Sequence, residues 1–194
     1  MPIVGQFGSL AGFGMFPGGA FESIATVTVG SGGAASMVLD NIPSGYQHLQ
    51  VRWIGQSNRG TYATDNLWIR VNGDTGSNYA YHELRGDGAS AGSFAGATQT
   101  KQYVSGVVGT TQQTSNFGAG IIDILDYTST SKNKTLRVLA GKDNNGTYAS
   151  VGGYVQVASG LYFATPAAVT SVTLIAENGN WQQYSTAALF GVRA

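Results

Sequence analysis

The sequence predicts an all-β chain: an antiparallel β-sandwich or jelly roll of about ten strands with an extended N-terminal arm. Three observations lead there. Glycine supplies 29 of the 194 residues, about twice the ordinary usage of roughly 7 %, so turns are frequent. Segments rich in Val, Ile, Thr and Tyr alternate apolar with polar at a period of two, as half-buried strands do. No convincing helix separates them.

The chain divides into residues 1–20, an arm, and residues 21–194, the sandwich domain. The arm is Gly-rich and free of Asp, Glu, Lys and Arg, and it carries Ile3, Val4, Phe7, Leu10, Phe13, Met15 and Phe16. Phe7, Leu10, Phe13 and Phe16 recur every third residue, but the glycines among them disfavour a helix by about 1 kcal/mol each. Glu22 to Val29 and Ser36 to Asp40 read as strands. From Tyr46 to Gln56, Leu49, Val51 and Trp53 point one way and His48, Gln50 and Arg52 the other. From Asp65 to Asn72, Leu67, Ile69 and Val71 share a face opposite Trp68 and Arg70, which places Trp68 partly in solvent. Tyr79 to Leu84 is a short strand. Ala89 to Thr100 lacks large side chains and reads as a loop, and Lys101 to Val108 as a weak strand. Gly120–Tyr127, Lys134–Lys142, Tyr148–Val157, Val169–Ala176 and Thr186–Arg193 complete the set. Asn72-Gly73, Asn145-Gly146 and Asn178-Gly179 lie between strands, where Asn-Gly is the strongest short-range hairpin signal because both residues accept positive φ.

Charge bounds the function. Lys plus Arg and Asp plus Glu number 10 each, so the formal net charge is zero. Gripping nucleic acid by its phosphates calls for a basic surplus, which is missing. Charged residues make up only 10 % of the chain, against about 25 % in an ordinary soluble domain. A surface so poor in charge favours association, so part of it is expected to be covered by partners. There are no cysteines, which removes disulfides and thiolate metal sites. No apolar run approaches the roughly 20 residues of a membrane helix, and no secretory signal is visible.

Residues that might carry chemistry read better as structural. Asp123 and Asp126 are three apart on a strand and face opposite ways, unlike the facing carboxylates of a glycosidase. His48 shares a face with Gln50 and Arg52, and His82 lies near Glu83 and Arg85, but no serine elbow accompanies either. The loops Asn72–Asn78 and Asp143–Asn145 offer oxygen ligands without calcium-loop spacing and read as turn chemistry. Lys132, Lys134 and Arg137 read as a solvated edge beside Asp123 and Asp126. The expectation is therefore no catalytic residue, no cofactor and no metal. Tyr62, Trp68, Tyr79 and Tyr81, with Tyr103 and Tyr184, form a candidate aromatic surface for a partner or a glycan.

Several segments occur together: Ile42-Pro-Ser-Gly-Tyr-Gln-His-Leu-Gln-Val-Arg52, Asn72-Gly-Asp-Thr-Gly-Ser-Asn-Tyr79, Ile121-Ile-Asp-Ile-Leu-Asp-Tyr127, Asn180-Trp-Gln-Gln-Tyr184 and Ala188-Leu-Phe-Gly-Val192. In these the chain from Phe21 onward resembles small structural proteins of tailed bacteriophages; the Gly-rich start lies outside the resemblance. It implies a non-enzymatic virion protein, assembled in the host cytoplasm, whose partners are other capsid or tail proteins. The first expectation is a capsid decoration or cement protein docking through its arm, as a homo-oligomer with a trimer as one candidate. The second is a tail-fibre, tail-tip or receptor-binding module whose loops meet a host surface glycan. The third is a depolymerase, for which the chain offers no acid pair. Nucleic acid and membrane are not expected partners.

Overall fold

A computed structural model describes residues 20–110, 115–143 and 153–193. The arm residues Ile3, Val4, Phe7, Leu10, Phe13, Met15 and Phe16 and the dipeptide Asn145-Gly146 lie outside this range. The described residues form twelve strands and no helix, namely β1 (Phe21–Thr28), β2 (Ser36–Leu39), β3 (His48–Ser57), β4 (Thr64–Val71), β5 (Tyr79–Gly86), β6 (Ala91–Gln99), β7 (Gln102–Gly109), β8 (Gly118–Ile124), β9 (Lys134–Lys142), β10 (Tyr154–Tyr162), β11 (Val172–Ala176) and β12 (Thr186–Val192). The chain is all-β.

The strands pair into two antiparallel runs that share one hinge strand. The longer run is β1-β12-β3-β8-β9-β10-β5-β6, and the shorter is β2-β11-β4-β7. Strand β3 forks between them. Its residues His48 to Ile54 pair with β12, while Gln56 and Ser57 pair with Val108 and Gly109 of β7. That last contact is parallel, so the sheet is mixed rather than wholly antiparallel.

The core lies where the runs face each other. Leu49, Val51 and Trp53 are buried on β3, as their alternation requires, and Leu67, Ile69 and Val71 are buried on β4. Tyr79 of β5 ties the runs together. Its hydroxyl accepts the Val71 N–H at 3.1 Å and donates to a main-chain carbonyl of the same turn, Val71 at 3.3 Å or Asp74 at 3.2 Å. Burial raises this phenol to about 12. Gln156 of β10 donates across the core to the Val104 carbonyl of β7 at 3.2 Å. Trp181 is fully buried and donates its indole N–H to the Leu174 carbonyl at 3.2 Å. Its ring lies over Gly55, where a Cβ would come within 2.4 Å of it; only glycine leaves room for the indole there.

The structure corrects several expectations. Ala91–Gln99 is a strand, not a loop. Small residues such as Ala91, Gly92 and Ala95 hide its alternation, and main-chain pairing with β5 along the sheet edge builds it instead. The weak strand β7 is buried at all eight positions, because it packs on both faces. Strand β10 runs past Val157 to Tyr162, and β11 starts only at Val172, although Val169 before it is buried.

At Asn72-Gly73 the turn forms, with φ of 52° and 66°, but it joins strands of different runs and makes no hairpin. The same holds at Asn178-Gly179, since β11 pairs with β2 and β4 while β12 pairs with β1 and β3. The strands on either side of Asn145-Gly146 do pair antiparallel, with Tyr154 opposite Lys142.

Candidate docking surface

The longer run turns one face to the core and the other to solvent, and the solvent face is apolar where polar side chains are expected. On β9, Leu136, Val138 and Ala140 point inward, and Leu139 between them points out. On β10, Gln156 and Ala158 point inward, and Val155 and Val157 point out. Strand register aligns the outward residues into rows. One row runs Arg52, Ile121, Leu139, Val157, Leu84 across β3, β8, β9, β10 and β5. Leu139, Val157 and Leu84 are 53 %, 47 % and 54 % exposed, and Val155 beside them is 59 % exposed.

The next row runs Ile54, Ala119, Gly141, Val155, Gly86. Ala119 and Gly141 lack the bulk of their neighbours, so they floor a trough walled by Ile121, Leu139 and Val155. On the other side the apolar rows meet a polar one: Gln50, Asp123, Arg137, Ser159 and His82. Within it Gln50 donates to Asp123 at 2.9 Å, and Arg137 pairs with Asp123 at 3.4 Å. At the β3 side the Arg52 guanidinium lies over the Phe21 and Phe190 rings, at 5.3 and 5.0 Å. An apolar patch with a polar rim is the anatomy of an interaction surface.

The aromatic surface expected from the sequence is largely interior. Tyr79 is fully buried, and Trp68 is 8 % exposed rather than partly in solvent. Trp68 fails the alternation argument because β4 is covered on both faces. It packs edge-on to Tyr103 at 5.4 Å and to Tyr81 at 6.1 Å, with Lys101 Nζ 4.8 Å from its ring centre. Tyr81 is half-buried in the same cluster. Of the four residues singled out, only Tyr62 is mostly exposed, with Arg59 stacked 4.4 Å above its ring. Tyr184 is more exposed still, at 68 %, and it holds a φ of 72° that a bulky residue seldom adopts. Tyr62 and Tyr184 both sit in loops at one end of the strands; Phe21, the first residue of β1, lies at the other.

The other candidate groups are engaged locally. Asp126 is held by Lys132 and Gln47, each at 2.8 Å, and the Lys132 contact leads in lowering its pKa. His48 Nδ1 accepts the Asp126 N–H at 3.0 Å. His82 stands opposite Ser159 in register. Asp74 accepts Gly76 N–H at 2.7 Å and Asn78 Nδ2 at 2.8 Å, the turn chemistry expected of that loop. Among the described residues no three His, Asp or Glu side chains converge as a metal site would require. Lys134 is not on a solvated edge: it is buried, its ammonium donates to the Ser129 and Lys132 carbonyls, and burial lowers its pKa.

The apolar outer face went unnoticed in the sequence, although a signal was there. Leu136, Val138, Leu139 and Ala140 put apolar side chains on both faces of one strand, as do Val155, Val157 and Ala158. No family model matches the chain, and no curated protein or solved structure is significantly similar to it.

Proposed function

We propose that this chain is a structural subunit of a larger assembly, with its outer sheet face packed against a neighbour. The observation that carries the reading is the register row Ile121, Leu139, Val157, Leu84, apolar across four adjacent strands and open to solvent. Covering apolar area contributes about 25 cal/mol per Å², and scattered single residues would not line up this way. The two runs, facing each other across the Tyr79 and Gln156 contacts, support the β-sandwich reading. The low charge of the chain points in the same direction.

The finer reading is a non-enzymatic bacteriophage virion protein, a capsid decoration or cement protein that docks through its N-terminal arm. It rests on the segments that resemble phage structural proteins. A tail-fibre or receptor-binding role is favoured by one specific observation: Tyr62 and Tyr184 are exposed at the end of the domain away from Phe21. A subunit anchored near Phe21 would point those loops outward, toward a host glycan. Labelling the C-terminus and imaging assembled particles separates the two. Label on the icosahedral head is the expected result, label on the tail selects the receptor-binding reading, and unlabelled particles would sink both.

A further inference from the structure

We propose that the cleft beside Arg85, at the ends of β5, β9 and β10, binds an acidic glycan, with the Arg85 guanidinium holding a sugar carboxylate. The inference rests on the receptor-binding reading above and deepens it by naming a ligand class and the residues that take it. Every other arginine donates to an oxygen: Arg52 to Gln50, Arg59 to Thr64, Arg70 to Thr100, Arg137 to Asp123 and Arg193 to Glu22. Arg85 makes no hydrogen bond or ion pair with any described residue. It rests instead against two rings, its guanidinium 4.3 Å from the centre of Phe94 and 5.7 Å from that of Tyr154. Glu83, two residues along the same face of β5, is committed to Gln156 at 2.7 Å. Arg85 is half-buried, and donors withdrawn from water without acceptors are costly. A carboxylate meets such a fork with two parallel hydrogen bonds.

The space around Arg85 suits a sugar. A small cavity of about 130 Å³ is bounded by Arg85, Asp87, Ser90, Gly92 and Tyr154. It shares Asp87 and Tyr154 with a cleft of about 570 Å³, a size within the ~300–1,000 Å³ of ligand sites. Phe117 gives the cleft an apolar ring, and Asp87, Lys142 and Asp143 line it as well. Lys142 Nζ lies 4.9 Å from the centre of the same Tyr154 ring, so both cations gather at that residue. Arg85 and Lys142 are matched in charge by Asp87 and Asp143. This balance selects a hydroxyl-rich ligand of low charge over a polyanion: the cations attract its carboxylate, and the acids accept from its hydroxyls. Asp87 is held in place by its own turn, where it accepts the Ala89 and Ser90 N–H groups at 2.9 and 2.7 Å. Gly86 and Gly141 of the cleft wall stand in the register row that runs through Ala119 and Ile54 to Thr186, two residues past Tyr184. The cleft therefore opens at the Tyr184 end of the strands, away from Phe21.

The test is isothermal titration calorimetry of the full-length chain with two acidic probes, trigalacturonate and sialyllactose, and with their uncharged counterparts, galactotriose and lactose. The wild type is expected to bind at least one acidic probe, and to bind it at least about tenfold more tightly than its uncharged counterpart, the difference a bidentate charge-assisted contact makes. Arg85→Gln is expected to remove that preference. Gly86→Leu fills the cleft without touching the guanidinium, at a position where a Cβ meets nothing within 4 Å; it is expected to weaken binding as much, and it carries the test should Arg85→Gln misfold by circular dichroism. Tyr62→Ser, on a separate loop, is expected to bind as the wild type does. Binding of neither acidic probe would overturn the proposal, as would equal affinity for the uncharged counterparts or undiminished binding by both cleft variants. Inorganic sulfate that displaces the acidic probe as well as free galacturonate does would reveal a bare anion site and overturn the sugar assignment. The assay uses the free chain, so it is read apart from the particle label. Label on the tail with no binding in this cleft leaves the receptor-binding reading standing and strikes only the site.

Discussion

Glu83 lies buried on β5, within reach of Gln156 Nε2 at 2.7 Å, and burial raises its pKa above the ordinary carboxyl range. The neighbouring Gln156 Oε1 is buried with no donor. A protonated Glu83 supplies that donor; an ionised one cannot. Because its folded-state pKa is raised, Glu83 favours the folded chain at low pH. That contribution fades as pH climbs through the unfolded value of about 4.3 and is gone above the folded value. Glu83→Gln removes the charge and lets two amides pair reciprocally. At neutral pH it should raise the melting temperature by about 2–4 °C, the shift expected of ~1 kcal/mol in a domain of this size. The gain should vanish below about pH 4, where Glu83 is neutral in both states. A lower melting temperature at pH 7 would show that Glu83 is held ionised. No sequence pattern reveals this pair, because residues 83 and 156 meet only through the register of β5 with β10.

At the scale of elements, β9 tests the assignment of faces most sharply. Leu136 is fully buried and Leu139 is half exposed on the same strand. Leu136→Ala should destabilise by about 2–5 kcal/mol, as core truncations do, whereas Leu139→Ala in the isolated chain should change stability by less than about 0.5 kcal/mol. Denaturant unfolding of the two variants decides it, and equal losses would mean that the outer face is covered within the single chain. Strands of strong alternation are legible from sequence: β3 and β4 fall close to where Leu49, Val51 and Trp53, and Leu67, Ile69 and Val71, place them, and β9 spans the Lys134–Lys142 that the sequence predicts. Strand β6 was not, because Gly92, Ala95 and Gly96 have too little side chain to show a period. Nor was the depth of Trp68, since alternation tells faces apart but not whether a second layer covers the polar-looking one. The two Asn-Gly turns beside β4 and β11 misled for a related reason. Turn chemistry is local, whereas the choice of pairing partner is made by the whole core.

On the scale of the whole molecule, the fork at β3 sets the arrangement. It splits the strands into a long run with an apolar back and a short run that closes the core, and it leaves Phe21 at one end with Tyr62 and Tyr184 at the other. The polar inventory of the sequence pointed away from chemistry and toward assembly, but which face assembles could be read only once register had aligned Leu139, Val157 and Leu84. All twelve described strands lie between Phe21 and Val192, so a chain lacking residues 1–20 should keep its melting temperature within about 2 °C and its strand-type circular dichroism, and should no longer enter particles. Unfolding of the shortened chain would place the segment inside the fold. The central claim, that the outer face is covered in the assembly, can be probed directly because the chain contains no cysteine. Val157→Cys sets a single thiol in the middle of that face, and its rate of maleimide labelling is compared between free chain and assembled particle. Labelling at least tenfold slower in the particle is the predicted result, and equal rates in the two would contradict the account.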